Sequence, residues 1–175
     1  MSLTQIVRNA FVSRQKDIEK YDNGAEELQI QTLRYLTETA KDTEYGRKHA
    51  FCAVKSYEDF AESIPVNTYE ELKEDIDRMR HGERDVLWKG SVKWYAKSSG
   101  TTNDKSKFIP VSHDGLQHIH YAGGKDVVAL YLRNNPKSRL FDGRSLILGG
   151  SHSPNYDVAD SLVGDLSAIL IENIN

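Results

Sequence analysis

Apolar residues recur at three- and four-residue spacing from the start of the chain: Leu3, Ile6, Val7, Ala10, Phe11 and Ile18, then Leu28, Leu33, Leu36 and Ala40. That spacing lays an apolar stripe along a helix. Asp22-Asn23-Gly24 separates the two runs and supplies a capping side chain. Ser56-Tyr-Glu-Asp59 and Thr68-Tyr-Glu-Glu71 each predict a further helix start, in which a hydroxyl satisfies an orphan amide and the acid reaches back. Pro65 enforces a break between them. The later helix carries Leu72, Ile76 and Met79 on one face and stops near His81-Gly82.

The pattern changes after Gly90. Ser91–Lys97 alternates and is rich in β-formers, which predicts a strand; Phe108–Val111 predicts a second. Ser112 caps a predicted helix over 113–132, with Leu116, Ile119, Gly123, Val127 and Leu130 on one face, ended by Asn134-Asn135-Pro136. Arg144–Leu148 predicts a buried strand that leads into Gly149–Pro154, and 165–174 predicts a helix capped by Asp165. The expected layout is a helical lead-in over 1–90, followed by α/β structure with strands and helices intermixed over 91–175.

Charge narrows the function classes. The chain has 23 basic and 26 acidic side chains in 175 residues. That balance excludes a disordered acidic tail and a general nucleic-acid binder. Residues 1–90 hold 14 basic and 18 acidic residues, and 91–175 hold 9 and 8. No apolar run approaches the ~18 residues of a membrane span, and the first twenty residues hold no uninterrupted apolar stretch of a signal peptide. A single cysteine, Cys52, cannot form an internal disulfide. The expected compartment is the cytoplasm, with no membrane and no nucleic acid as partner.

Candidate chemistry concentrates in Ser98-Ser-Gly-Thr-Thr-Asn-Asp-Lys-Ser-Lys107, between the two predicted strands. Glycine permits close backbone approach, successive amides form an anion-binding nest, hydroxyls donate to phosphate oxygens and can ligate Mg²⁺, and lysine adds positive charge. This is what a polyphosphate cradle needs. It is not a Walker A loop, because Lys105 stands at the second-glycine position, and there is no G-x-G-x-x-G. A solvated hairpin turn uses the same residue types.

The full string KSSGTTNDKSKFIP resembles the phosphate-binding loop of adenylate-forming enzymes: acyl-CoA synthetases, luciferases and peptide-synthetase adenylation domains. Their lysine follows the first serine by eight residues; here Lys107 lies nine after Ser98, and Phe-Ile-Pro follows it. The longer loop with K-x-I-P resembles the Gretchen Hagen family of acyl-acid amido synthetases, the auxin-responsive promoter proteins. Thr43–His49, Phe60 through Ile64-Pro65-Val66 to Ile76, and Val163-Gly-Asp-Leu-Ser-Ala168 are similar to that family too. Asn103 and Asp104 depart from it where glycines are usual, and Ser106 where proline is common.

The resemblance implies the beginning of an adenylate-forming fold and a two-step reaction. ATP and a carboxylic acid give an acyl adenylate and pyrophosphate; an amine, often an amino acid, then forms the amide. By motif position Ser98, Ser99, Gly100, Thr101 and Thr102 would hold the β- and γ-phosphates of ATP with Mg²⁺, and Lys107 would anchor the loop or add charge. The family's adenine, ribose and C-terminal segments have no counterpart before Asn175. The chain is therefore expected to be an N-terminal piece that does not complete the reaction alone. A CoA ligase of the same superfamily and a non-catalytic binding module are the alternatives.

Other residues carry plainer expectations. His113, His118 and His120 lack a completing cysteine or carboxylate, so they are read as surface or packing residues, and no metal ligand set is expected. Cys52 is expected to be a packed small residue. Trp88, Trp94 and Tyr95 are expected to be core aromatics, and Gly149–Pro154 a plain loop.

Overall fold

The computed structural model describes residues 1–98, 106–154 and 161–174. These form two compact units, Met1–Leu28 with Asp114–Leu148, and Gln29–His113 with Gly149–Asn175.

In the first unit, α1 (Leu3–Ala10) and α2 (Val12–Asn23) replace one predicted helix, with the break at Phe11. The Ser2 hydroxyl caps α1 by accepting from the Gln5 amide. Thr4 is buried; its hydroxyl accepts from the Phe141 amide at 2.9 Å, and its own amide donates to Asp142 at 3.0 Å. The predicted helix over 113–132 is built from α7 (His113–Gly115), a π-helical stretch (Leu116–Tyr121) and α8 (Ala122–Asn134). The π turn widens the winding and rotates everything downstream of it. Leu116, at the head of the π stretch, is buried as the predicted stripe requires; downstream, Ala129 and Leu132 are buried, while Ile119 and Val127 of that stripe are exposed. Asp126 of α8 accepts from Arg14 of α2 at 2.8 Å.

The second unit carries α3 (Ala25–Ala40) from Gln29 onward, α4 (Glu44–Lys48), α5 (Tyr57–Ser63) and α6 (Tyr69–Arg80). The capping box at Ser56 forms, and at Thr68 the Glu71 carboxylate accepts from the Thr68 amide at 2.6 Å. Thr43 caps α4 by accepting from the Gly46 amide at 2.9 Å, and the free amides of Glu44 and Tyr45 donate to the carbonyls of Asp85 and Val86. An added Cβ at Gly46 would meet the Ala40 carbonyl oxygen at 2.0 Å, so this turn closes only on glycine.

Among the described residues four strands make a mixed sheet in the order β2-β1-β4-β3: β1 (Trp94–Lys97), β2 (Phe108–Val111), β3 (His152–Pro154) and β4 (Leu162–Gly164). β1 runs antiparallel to β2 and parallel to β4, and β3 runs antiparallel to β4. α9 (Leu166–Glu172) follows β4. The fold class is thus a helical lead-in with a mixed α/β sheet, as the sequence predicts. The core joins Ile76 and Met79 of α6 to Val86, Val92 and Tyr95, with Leu72, Phe108 and Val163 packed around them.

Three expectations are corrected. Arg144–Leu148 forms no strand, and Leu146, Ile147 and Leu148 are exposed; a strand exists only with a ladder partner, and this segment pairs with none of the four. Gly149–Pro154 is more than a plain loop, since His152–Pro154 is an edge strand. Its proline sits where an edge tolerates a missing donor. The Asp165 carboxylate does not cap α9; it accepts from the Ser151 amide at 3.2 Å and so fastens that loop.

Candidate phosphate-binding hairpin

The β1–β2 pair brings the two ends of the 98–107 segment together. Lys97 pairs with Phe108 in register. One step further the Ser98 amide donates to the Lys107 carbonyl at 2.9 Å, and the Lys107 amide donates to the Ser98 hydroxyl at 3.0 Å. Of the predicted site residues, Ser98 and Lys107 are therefore adjacent at the base of the loop. Ser99, Gly100, Thr101 and Thr102 lie outside the described residues.

Helix α6 positions this base. The Tyr69 hydroxyl accepts from the Phe108 amide at 3.0 Å. The Lys107 ammonium lies 5.4 Å from the centre of the Tyr69 ring, a cation–π arrangement. At the other end of the helix the Arg80 guanidinium stacks 3.8 Å over Phe108 and donates to Asp77 at 2.9 Å. Tyr69, Lys73, Asp77, Arg80, Lys97, Ser106 and Phe108 line a cleft of about 310 Å³. Below the same helix Tyr95 is fully buried, and burial pushes its hydroxyl up to about 12, with Arg80 pulling weakly the other way.

Sequence reasoning missed the part played by α6. The signal was present: Lys73, Asp77 and Arg80 each follow by one position the core residues Leu72, Ile76 and Met79. A polar row beside an apolar row marks the boundary where a helix leaves the core and faces a cleft.

The remaining candidates are elsewhere. Trp94 and Tyr95 are core aromatics as expected, Trp94 stacking edge-on with His152 at 5.4 Å. Cys52 is exposed on a short 3₁₀ turn (Phe51–Ala53), which corrects the expectation of a packed residue. Among the described residues no three or more His, Cys, Asp or Glu come together in a metal-binding group, and no helix is long and apolar enough to cross a membrane.

Comparison with known proteins decides the family. The model of the GH3 family N-terminal domain matches residues 14–174. The chain belongs to the GH3 family. A probable indole-3-acetic acid-amido synthetase of Arabidopsis thaliana, GH3.1, is 29% identical over 125 residues, covering 70% of this chain and 21% of that protein. A rice relative, the probable indole-3-acetic acid-amido synthetase GH3.2, is likewise 29% identical over 125 residues, 70% of this chain and 20% of that one. The solved AtGH3.15 acyl acid amido synthetase, in complex with 2,4-DB, superposes with a TM-score of 0.76 at 22% identity, over 95% of this chain and 28% of that one. The GH3 chain thus spans about a fifth of the length of these curated relatives, and its fold is that of the N-terminal part of a GH3 enzyme.

Proposed function

We propose that this GH3 domain supplies the ATP phosphate-binding loop of an acyl-acid amido synthetase. The whole enzyme would adenylate a carboxylic acid with release of pyrophosphate and then transfer the acyl group to an amine or amino acid. The observation that supports the reading most directly is the closed base of the loop, with Ser98 and Lys107 hydrogen-bonded across it. Ser98, Ser99, Gly100, Thr101 and Thr102 would hold the β- and γ-phosphates through amides and hydroxyls, and Lys107 would anchor the loop against Tyr69 and add positive charge. Fixed donors and charge aimed at phosphate oxygens are where such a site lowers a nucleotidyl-transfer barrier. Mg²⁺ would be held chiefly by the nucleotide's own phosphates. The names of the relatives support the acid and amine classes.

The test is carboxylic-acid-dependent ATP–pyrophosphate exchange by the full enzyme that carries this domain. Thr101→Ala and Lys107→Ala are each expected to lower exchange by about 10²-fold, the loss typical of one oxyanion-stabilising donor. Exchange unchanged in both variants sinks the site assignment. Products formed with coenzyme A in place of amino acids would favour a CoA ligase.

A further inference from the structure

We propose that the cleft between α6 and the β1–β2 hairpin is a second anion site, lying beside the loop and built for a di- or triphosphate group. Among the described residues its cations are Lys73 and Arg80 from the helix and Lys97 from the strand, and its single acid is Asp77. The setting makes that excess notable, because the other charged residues of α6 are Glu70, Glu71, Glu74, Asp75 and one base, Arg78. Arg78 is bridged to Glu44, Glu83 and Asp75, which leaves Lys73 and Arg80 as the cations that α6 turns toward the hairpin.

The state of each cation selects the ligand. Arg80 is committed: Asp77 takes one of its N–H groups, and Phe108 covers its face. It contributes charge and not an open fork, so planar bidentate recognition of a carboxylate is not what the cleft offers. Lys73 and Lys97 make no ion pair with another described residue. Two lysines act as separate point charges, which suits an oxyanion carrying several charges spread over several oxygens. A singly charged ligand would not offset the ordering of two long side chains.

The walls and the position agree with that choice. Tyr69 and Phe108, both half-buried, flank the cleft with their rings. A volume of about 310 Å³ is at the lower end of small-ligand sites, which run from about 300 to 1,000 Å³. Lys97 and Ser106 bring the cleft to both feet of the loop, one residue before Ser98 and one before Lys107. The ends of the loop thus give the cleft a cation, Lys97, and a hydroxyl, Ser106. The identity of the bound anion as released pyrophosphate rests on the function proposed above; the anion site itself does not.

The experiment is calorimetric titration of the 175-residue chain with inorganic pyrophosphate at about 0.1 M salt. Saturable binding is expected, weakened about tenfold in Lys73→Ala and again in Lys97→Ala, retained in Lys73→Arg, and unaffected in Lys55→Ala, an exposed lysine elsewhere. Circular dichroism establishes that each variant is folded. ATP that displaces pyrophosphate with the same lysine dependence makes the nucleotide tail the occupant; ATP that does not makes the free anion the occupant, and both support the site. Binding of AMP as tight as that of pyrophosphate overturns the polyphosphate class. Absence of binding, or binding indifferent to Lys73 and Lys97, overturns the site. If Thr101→Ala abolishes binding while the lysine variants do not, the loop alone holds the anion: the cleft proposal fails and the proposed function stands.

Discussion

The Ser98 hydroxyl accepts the Lys107 amide at 3.0 Å, while the Ser98 amide donates to the Lys107 carbonyl at 2.9 Å. The two ends of the loop are thus fixed by one side chain and one backbone bond. A hydroxyl used as an acceptor keeps its own proton. Ser98 can therefore close the loop and still donate to a phosphate oxygen.

That dual use makes a prediction for two substitutions. Ser98→Ala removes the closing bond, worth about 1 kcal/mol, and protection of the Lys107 amide from hydrogen exchange is expected to fall roughly fivefold. Ser98→Thr keeps the hydroxyl and is expected to keep the protection. Equal protection in all three proteins would mean that the side-chain bond does not hold the loop base.

A second prediction concerns Arg78, whose guanidinium bridges Glu44 at 2.5 Å, Glu83 at 2.8 Å and Asp75 at 3.0 Å. Hydrogen bonds from Arg78 hold the Glu44 and Glu83 carboxyls below their ordinary value of 4.5. As pH falls, the unfolded chain takes up these protons first, at about 4.5, and the folded chain only later. The stabilisation is full above 4.5 and is lost as pH drops through the lower folded values. Arg78→Met should melt below the wild type at pH 7, with the gap closing toward pH 3 and narrowing in high salt. A gap independent of pH would assign the loss to packing.

Local rules made the helices legible. Ser56 and Thr68 start helices where their residue types and spacing say they should, and Gly82 ends α6 with a positive φ of 88°. β1 and β2 were legible as strands from their β-forming residues on either side of the loop motif, whereas their register is set by the pairing itself. What was not legible depends on partners distant in sequence. Nothing local in Arg144–Leu148 distinguishes a paired strand from an exposed apolar segment, and nothing in Leu116–Tyr121 announces a π turn. The same holds for the cleft: Lys97 became a site residue only when Lys73 and Arg80, distant in sequence, were placed across from it.

Tyr95 offers the last test. It is fully buried among Ile76, Met79, Val86 and Val92, and its hydroxyl has no hydrogen-bond partner among the described residues. An unsatisfied buried hydroxyl costs about 1–3 kcal/mol, so Tyr95→Phe is expected to be neutral or to stabilise by about 1 kcal/mol in urea unfolding at pH 7. Burial also keeps the folded hydroxyl protonated until about 12, whereas the unfolded chain releases the proton near its ordinary value of 10. Raising the pH through that window favours the unfolded chain, so wild-type stability should fall there. Phenylalanine carries no such proton, and the advantage of Tyr95→Phe should widen between pH 10 and 12. A variant destabilised by more than about 1 kcal/mol, to the same extent at pH 7 and in that alkaline window, would show that the hydroxyl is bonded and that Tyr95 is held in place by more than its ring.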